Sequence, residues 1–79
     1  MYTIEKPNEW DKLSKYVSLL PPREKAIITK RYGLDGGIPQ TLQRTSVPFG
    51  VTAERIRQIV AKSLRRMRGY YYKELRGEL

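Results

Sequence analysis

Neither cysteine nor histidine occurs among the 79 residues, and in a chain this short that is the tightest constraint on the fold. Domains of this size are marginal unless a disulfide, a metal or efficient packing supports them. Disulfides and Cys or His zinc sites are excluded, and so are Cys-His and Ser-His catalysis. Apolar packing is what remains, and closely packed helices suit it best. Apolar residues make up 39% of the chain, enough for one small core and too many for wholesale disorder. A single domain over residues 1–79 is expected. No apolar run approaches the roughly 18–20 residues a bilayer demands, and no signal peptide opens the chain. A soluble, cytoplasmic protein with no membrane partner is the expectation.

The net charge is +8, which points to a polyanion without saying which one. Its distribution says more. Residues 1–51 carry eight basic and five acidic side chains, a net of +3; residues 52–79 carry eight and three, a net of +5. Between Arg55 and Lys73 stand seven basic groups and no acid. A solubility face mixes signs to gain i,i+4 pairs, and this stretch does not.

Four helical segments are predicted, with no strand-like alternation, so the fold class is all-α. The first spans residues 8–20, with Asn8 as N-cap and Asp11 completing a partial capping box. Trp10, Leu13, Val17 and Leu20 recur on one face, and Pro21-Pro22 stops the helix. Pro22 suits the first position of the next helix, which runs to Tyr32 and ends at Gly33 in a left-handed cap, with Leu34 placed to fold back on Ile28. Asp35-Gly36-Gly37-Ile38-Pro39 is loop chemistry. A short third helix starts at Thr41 as N-cap and is limited by Pro48. Phe49-Gly50-Val51 reads as a tight turn, and Thr52 then caps the strongest element, with Val51 and Ile56 as a hydrophobic staple. Ile56, Ile59, Val60, Ser63, Leu64 and Met67 fall on one side of it at 100° per residue. Gly69 is expected to close it, leaving residues 69–79 as a tail in which Tyr70 to Leu75 either add a helical turn or fold back on the core, with Tyr70, Tyr71 and Tyr72 read as packing and solvent groups.

A short helix, a glycine turn and a longer helix with a basic outer face form the pattern of a helix-turn-helix. Major-groove readout uses Arg or Lys on guanine, Gln on adenine and Glu on the cytosine amino group. Glu54, Arg57 and Gln58 present those types on the first two turns and are the candidate base contacts. Ala61 is small and permits close approach. Lys62, Arg65, Arg66 and Arg68 lie further along and suit phosphates, which set affinity and register. Asp35-Gly36-Gly37 lacks the lysine and ligand spacing of a phosphate or metal loop and is read as a turn. Glu24 and Asp35 make no persuasive acid–base pair, so no enzyme, cofactor or metal is expected.

The wording of the chain carries more than its pattern. Leu20-Pro-Pro-Arg-Glu-Lys-Ala, Arg31-Tyr-Gly-Leu, Thr41-Leu, and the run from Phe49 to Arg68 resemble region 4 of bacterial primary-type RNA polymerase sigma factors, over a core of residues 19–68. The resemblance implies a compact helical domain that recognises the −35 element of double-stranded promoter DNA and docks on the flap of the polymerase β subunit. Carried over by position, Glu54, Arg57 and Gln58 face bases. Arg23, Arg31, Thr41, Leu42, Lys62 and Arg66 lie at the DNA backbone. Arg65, with Lys62 and Arg66, belongs to a surface that activators touch. The resemblance also implies a nucleoid-associated protein.

The departures from that family are specific. Ala53 stands where the family usually has Arg, so one DNA contact is expected to be missing. Gln43-Arg44 replaces an acidic pair, Thr45-Ser46-Val47-Pro48 replaces a Val-Gly continuation, and Val60 replaces an acid. A chain of 79 residues has no room for the part that reads and melts the −10 element, so an excised region or a stand-alone, bacterial or phage-encoded form is expected. Two function classes stay open: a sigma-like promoter binder, which a complementary sigma-like subunit or an activator would accompany, and a polymerase-binding inhibitor, appropriator or co-activator acting through protein contacts. A repressor that ignores polymerase is the weaker third.

Overall fold

The computed structural model describes residues 6, 7 and 9–79. Its elements, in order, are α1 (Trp10–Leu13), a 3-10 helix (Ser14–Leu19), α2 (Pro22–Tyr32), α3 (Leu42–Phe49) and α4 (Ala53–Leu75). The all-α expectation holds, and no strand occurs among the described residues.

The first segment differs from the continuous helix predicted over 8–20. Asn8, the predicted N-cap, lies outside the described residues, and Glu9 precedes the helix with no side-chain cap. After one α-turn the chain tightens to six residues of 3-10 helix, longer than such helices usually run. The prolines account for the end of this segment. α-Helical bonds from the carbonyls of Val17 and Ser18 would need N–H groups at residues 21 and 22, and proline has none. The Val17 carbonyl is instead served three residues on, by Leu20 N at 3.1 Å. The predicted apolar stripe survives this rewinding, because Trp10, Leu13, Val17 and Leu20 are all buried, together with Tyr16.

α2 begins with Pro22 at its first turn and ends at Gly33, φ 67°. The N–H groups of Gly33 and Leu34 both close on the Thr29 carbonyl. Leu34 stays largely exposed, so the cap stands on its backbone bonds. Thr41 caps α3, its hydroxyl accepting from Arg44 N at 3.1 Å. Pro48 does not limit α3, as the sequence had suggested; it lies inside the last turn, and Gly50 at φ 65° ends the helix. A proline there removes only the bond to the Arg44 carbonyl, and both residues are exposed. Thr52 caps α4 by accepting from Arg55 N at 3.0 Å, as predicted.

Gly69 does not close α4. The helix continues to Leu75, because the turns beyond Gly69 have partners. Tyr70 and Tyr71 rings stand 6.4 and 6.5 Å from the Tyr16 ring. The Glu74 carboxylate accepts from Tyr16 Oη at 2.6 Å and from Lys15 Nζ at 3.0 Å. Arg68 faces Glu9 at 3.5 Å. Tyr70 and Tyr71 are thus packing groups and Tyr72 is exposed. Around the centre, Ile27 and Ile28 of α2 meet Ile56, Ile59, Val60 and Met67 of α4, with the Trp10 and Tyr32 rings 4.6 Å apart at one side. Ile27, Ile28 and Tyr32 are all buried.

The Lys15–Tyr16–Glu74 cluster should make the docking of the last turns of α4 on the 3-10 helix sensitive to acid. Hydrogen bonds from Tyr16 and then Lys15 hold the Glu74 carboxyl below the ordinary glutamate range. A carboxyl whose pKa is depressed by folding contributes stability above its unfolded value and loses it as pH falls through its folded value. Acidification past the ordinary glutamate range, near about pH 4, should loosen the last turns of α4 from the 3-10 helix while the centre stays folded. NMR shifts of the Tyr16 and Glu74 amides would titrate together. E74Q should abolish that step, and an unchanged titration in E74Q would refute the assignment.

Candidate nucleic-acid interface

α3 and α4 pack together across the turn of residues 50–52, the arrangement of a helix-turn-helix. Of the predicted outer face of α4, Glu54, Arg57, Gln58, Ala61, Lys62 and Arg65 are exposed, whereas Arg68 is half-buried and turned to Glu9. The buried side holds Ile56, Ile59, Val60, Ser63 and Met67, with Leu64 half-buried against the core. Val60, where the family usually carries an acid, is buried. A carboxylate there would have to shed its solvation.

Two of the three candidate base readers are engaged with each other. Arg57 donates from Nε to both Glu54 oxygens, at 3.0 and 2.9 Å, and from Nη2 to Oε1 at 2.5 Å. This fork holds the Glu54 carboxyl below its ordinary range and raises the Arg57 guanidinium. Both side chains remain more than half exposed, so the pair can open in favour of base edges at little cost. Gln58, the third, accepts from Arg55 Nη1 at 3.3 Å.

Beside them runs a groove of about 170 Å³ lined by Pro21, Arg23, Glu24, Arg55, Gln58, Ile59 and Lys62. It brings together three predicted site residues, Arg23, Gln58 and Lys62, and adds one that sequence reasoning missed. Arg55 lines the same groove and donates to Gln58. The signal was present in the spacing, since residues 55, 58 and 62 follow i, i+3, i+7 and share a helical stripe.

The remaining backbone candidates lie elsewhere and are partly committed. Arg31 donates from Nη1 to the Gln40 carbonyl at 2.6 Å, and Gln40 N returns a bond to the Arg31 carbonyl at 3.2 Å. This clasp ties the residue 33–40 loop to α2. Thr41 spends its hydroxyl on capping α3. Leu42 packs its side chain against the core, leaving its main-chain N–H at the helix start for an anion. Arg66 is drawn away from the outer face, its Nε 3.1 Å from Glu24 Oε2. Asp35 forms a turn, as read from the sequence, its carboxylate accepting from Gly37 N at 3.0 Å. Among the described residues no three His, Cys, Asp or Glu side chains gather as a metal site. No helix among them is long and apolar enough to cross a membrane.

An all-α helix-turn-helix with a basic outer face on its second helix is what this geometry defines. Residues 17–69 match the family described as sigma-70, region 4, and the chain belongs to that family. RNA polymerase sigma factor SigA of Clostridium acetobutylicum is 47% identical over 58 residues, which is 73% of this chain and 15% of that protein. SigA of a Nostoc species is 50% identical over 56 residues, 71% of this chain and 14% of that protein. SigA1 of Synechococcus elongatus matches to the same extent. The chain therefore spans about one seventh of the length of these relatives.

Proposed function

We propose that this domain reads the −35 element of promoter DNA for RNA polymerase, as a sigma-type module docked on the β-subunit flap. One observation supports it most: the exposed first two turns of α4 carry Glu54, Arg57 and Gln58 next to a groove walled by Arg23, Arg55 and Lys62, in a chain of the sigma-70 region 4 family. In this reading Glu54, Arg57 and Gln58 meet base edges. Arg23 and Lys62 meet phosphates, with Arg55 beside them. Arg31 fixes the loop that leads to Thr41 and Leu42, whose backbone amides face the DNA strand. Exposed Arg65 is left for an activator. The work is binding, with no catalytic step, and is placed in the cytoplasm at the nucleoid.

Duplex selection followed by alanine substitution tests this. R57A or Q58A should lose about 1–3 kcal/mol on the selected sequence and relax preference at one position. K62A should weaken all duplexes alike and reduce the salt slope by about 0.9. Sequence preference that survives both R57A and Q58A would defeat the recognition assignment.

A second reading is favoured by the Glu54–Arg57 fork, which occupies two readers at once, and by Ala53 where the family usually has Arg. In it the chain is a polymerase-binding regulator acting mainly through protein contacts. Capture of polymerase or its isolated flap, with no sequence preference in duplex selection, would favour this second reading over the first.

A further inference from the structure

The basic outer face can read DNA only if α4 is held at a fixed rotation and height against α2, and one carboxylate is placed to do this. Glu24 is the third residue of α2, in the first turn where a negative charge also suits the helix dipole. Its side chain is only 12% exposed. Oε1 accepts from Ser63 Oγ at 3.0 Å, and Oε2 faces Arg66 Nε at 3.1 Å. Ser63 and Arg66 lie three residues apart, so the carboxylate spans one turn of α4. The hydroxyl of fully buried Ser63 also lies 2.8 Å from the Ile59 carbonyl. Its single proton is shared between that carbonyl and Glu24. Adjacent Arg23 points into the groove with Arg55, Gln58 and Lys62. Slipping α4 by one residue would turn it about 100° and carry Gln58 and Lys62 away from Arg23.

We propose that Glu24 is the positioning residue of the recognition helix, and that Arg66 serves Glu24 instead of a DNA phosphate. This rests on the DNA-reading function above. It makes an unusual prediction of sign. Removing a negative charge from a DNA-binding face should, on electrostatics alone, strengthen binding to every duplex. A positioning carboxylate predicts the reverse on the preferred duplex.

The test uses the full chain, binding isotherms on the selected duplex across a salt series, and the variants E24Q, R66A and E24Q/R66A, with K62A as comparator. E24Q and R66A should each lose about tenfold in affinity, and the double variant should lose no more than either alone. The salt slope of R66A should match wild type, whereas that of K62A falls by about 0.9. Equal or tighter binding by E24Q, or an R66A slope as shallow as that of K62A, would overturn the proposal.

A second measurement needs no DNA. The native chain has no cysteine, so Lys25→Cys with Ala61→Cys, both exposed sites, places one spin-label pair across α2 and α4. The distance distribution should be narrow in the parent and should shift or broaden in E24Q, with helicity retained by circular dichroism. Should E24Q not fold, S63A and R66A carry the same measurement. A wild-type chain that binds no duplex defeats the proposed function, and the distance distribution alone then decides the positioning role: unchanged, it refutes it.

Discussion

Replacing Ile56 by alanine is expected to cost about 2–5 kcal/mol of stability. Ile56 is fully buried and lies in the first turn of α4, against a core that also includes Ile27 and Ile28. Three carbons would be lost where well-packed neighbours can only partly collapse into the space. A domain of 79 residues has a total margin on the order of 4–12 kcal/mol, so this one change removes a large part of it. Thermal unfolding followed by circular dichroism should show a fall of 10 °C or more, roughly, for a domain of this size. A loss below about 1 kcal/mol would mean that Ile56 is not enclosed as described. The same change should weaken duplex binding near the melting range, because Arg55 and Arg57 flank the cavity.

Gly33→Ala should be nearly as damaging, for a different reason. Gly33 has φ 67°, and a Cβ there would lie 2.6 Å from the Gly37 carbonyl oxygen and 2.9 Å from Pro39 N. Both are backbone atoms, which cannot swing aside as a side chain can. The left-handed conformation costs roughly 1–2 kcal/mol for alanine, and forced displacement of the loop adds roughly 1–3 kcal/mol. That loop is the one held by the Arg31–Gln40 clasp, so the start of α3 should move with it. Gly50 shares the conformation, φ 65°, but a Cβ there meets nothing within 4 Å. G50A should carry the conformational cost alone. Gly69 sits in the middle of α4 with open space around it, so G69A should stabilise by about 0.5–1 kcal/mol. The melting temperatures should rank G69A, wild type, G50A, G33A; equal losses for G33A and G50A would show that the Cβ clash is relieved.

The features legible in the sequence were those that follow from periodicity. Trp10, Leu13, Val17 and Leu20 are buried although half of their segment is 3-10 helix, because burial depends on which residues are apolar more than on the exact winding. The caps at Thr41, Thr52 and Gly33 were legible because each satisfies specific backbone groups that a helix end leaves bare. Pro48 and Gly69 misled because a helix breaker stops a helix only when nothing sustains the next turn. Pro48 loses one solvent-side bond at the end of α3, and Tyr70, Tyr71 and Glu74 hold α4 together beyond Gly69. The exposed face of α4 was also legible, being the complement of the buried one. Hidden from view were the commitments of its charges. Arg57 to Glu54 and Arg55 to Gln58 are local pairs that compete with other rotamers, and Arg66 to Glu24 spans 42 positions. Charge counts cannot reveal which cations are already spoken for.

One consequence of the uninterrupted α4 concerns communication along it. At about 1.5 Å per residue, its 23 residues make a shaft roughly 34 Å long. The turns carrying Glu54 to Gln58 lie at one end, and the ring of Tyr16, Tyr70, Tyr71 and Glu74 grips the other. A stiff shaft transmits torque as well as position, so anything that rotates the far collar also rotates the turns that carry Glu54, Arg57 and Gln58. Under the proposed function, the first segment of the chain is thereby geared to the DNA-reading end from the opposite end of α4.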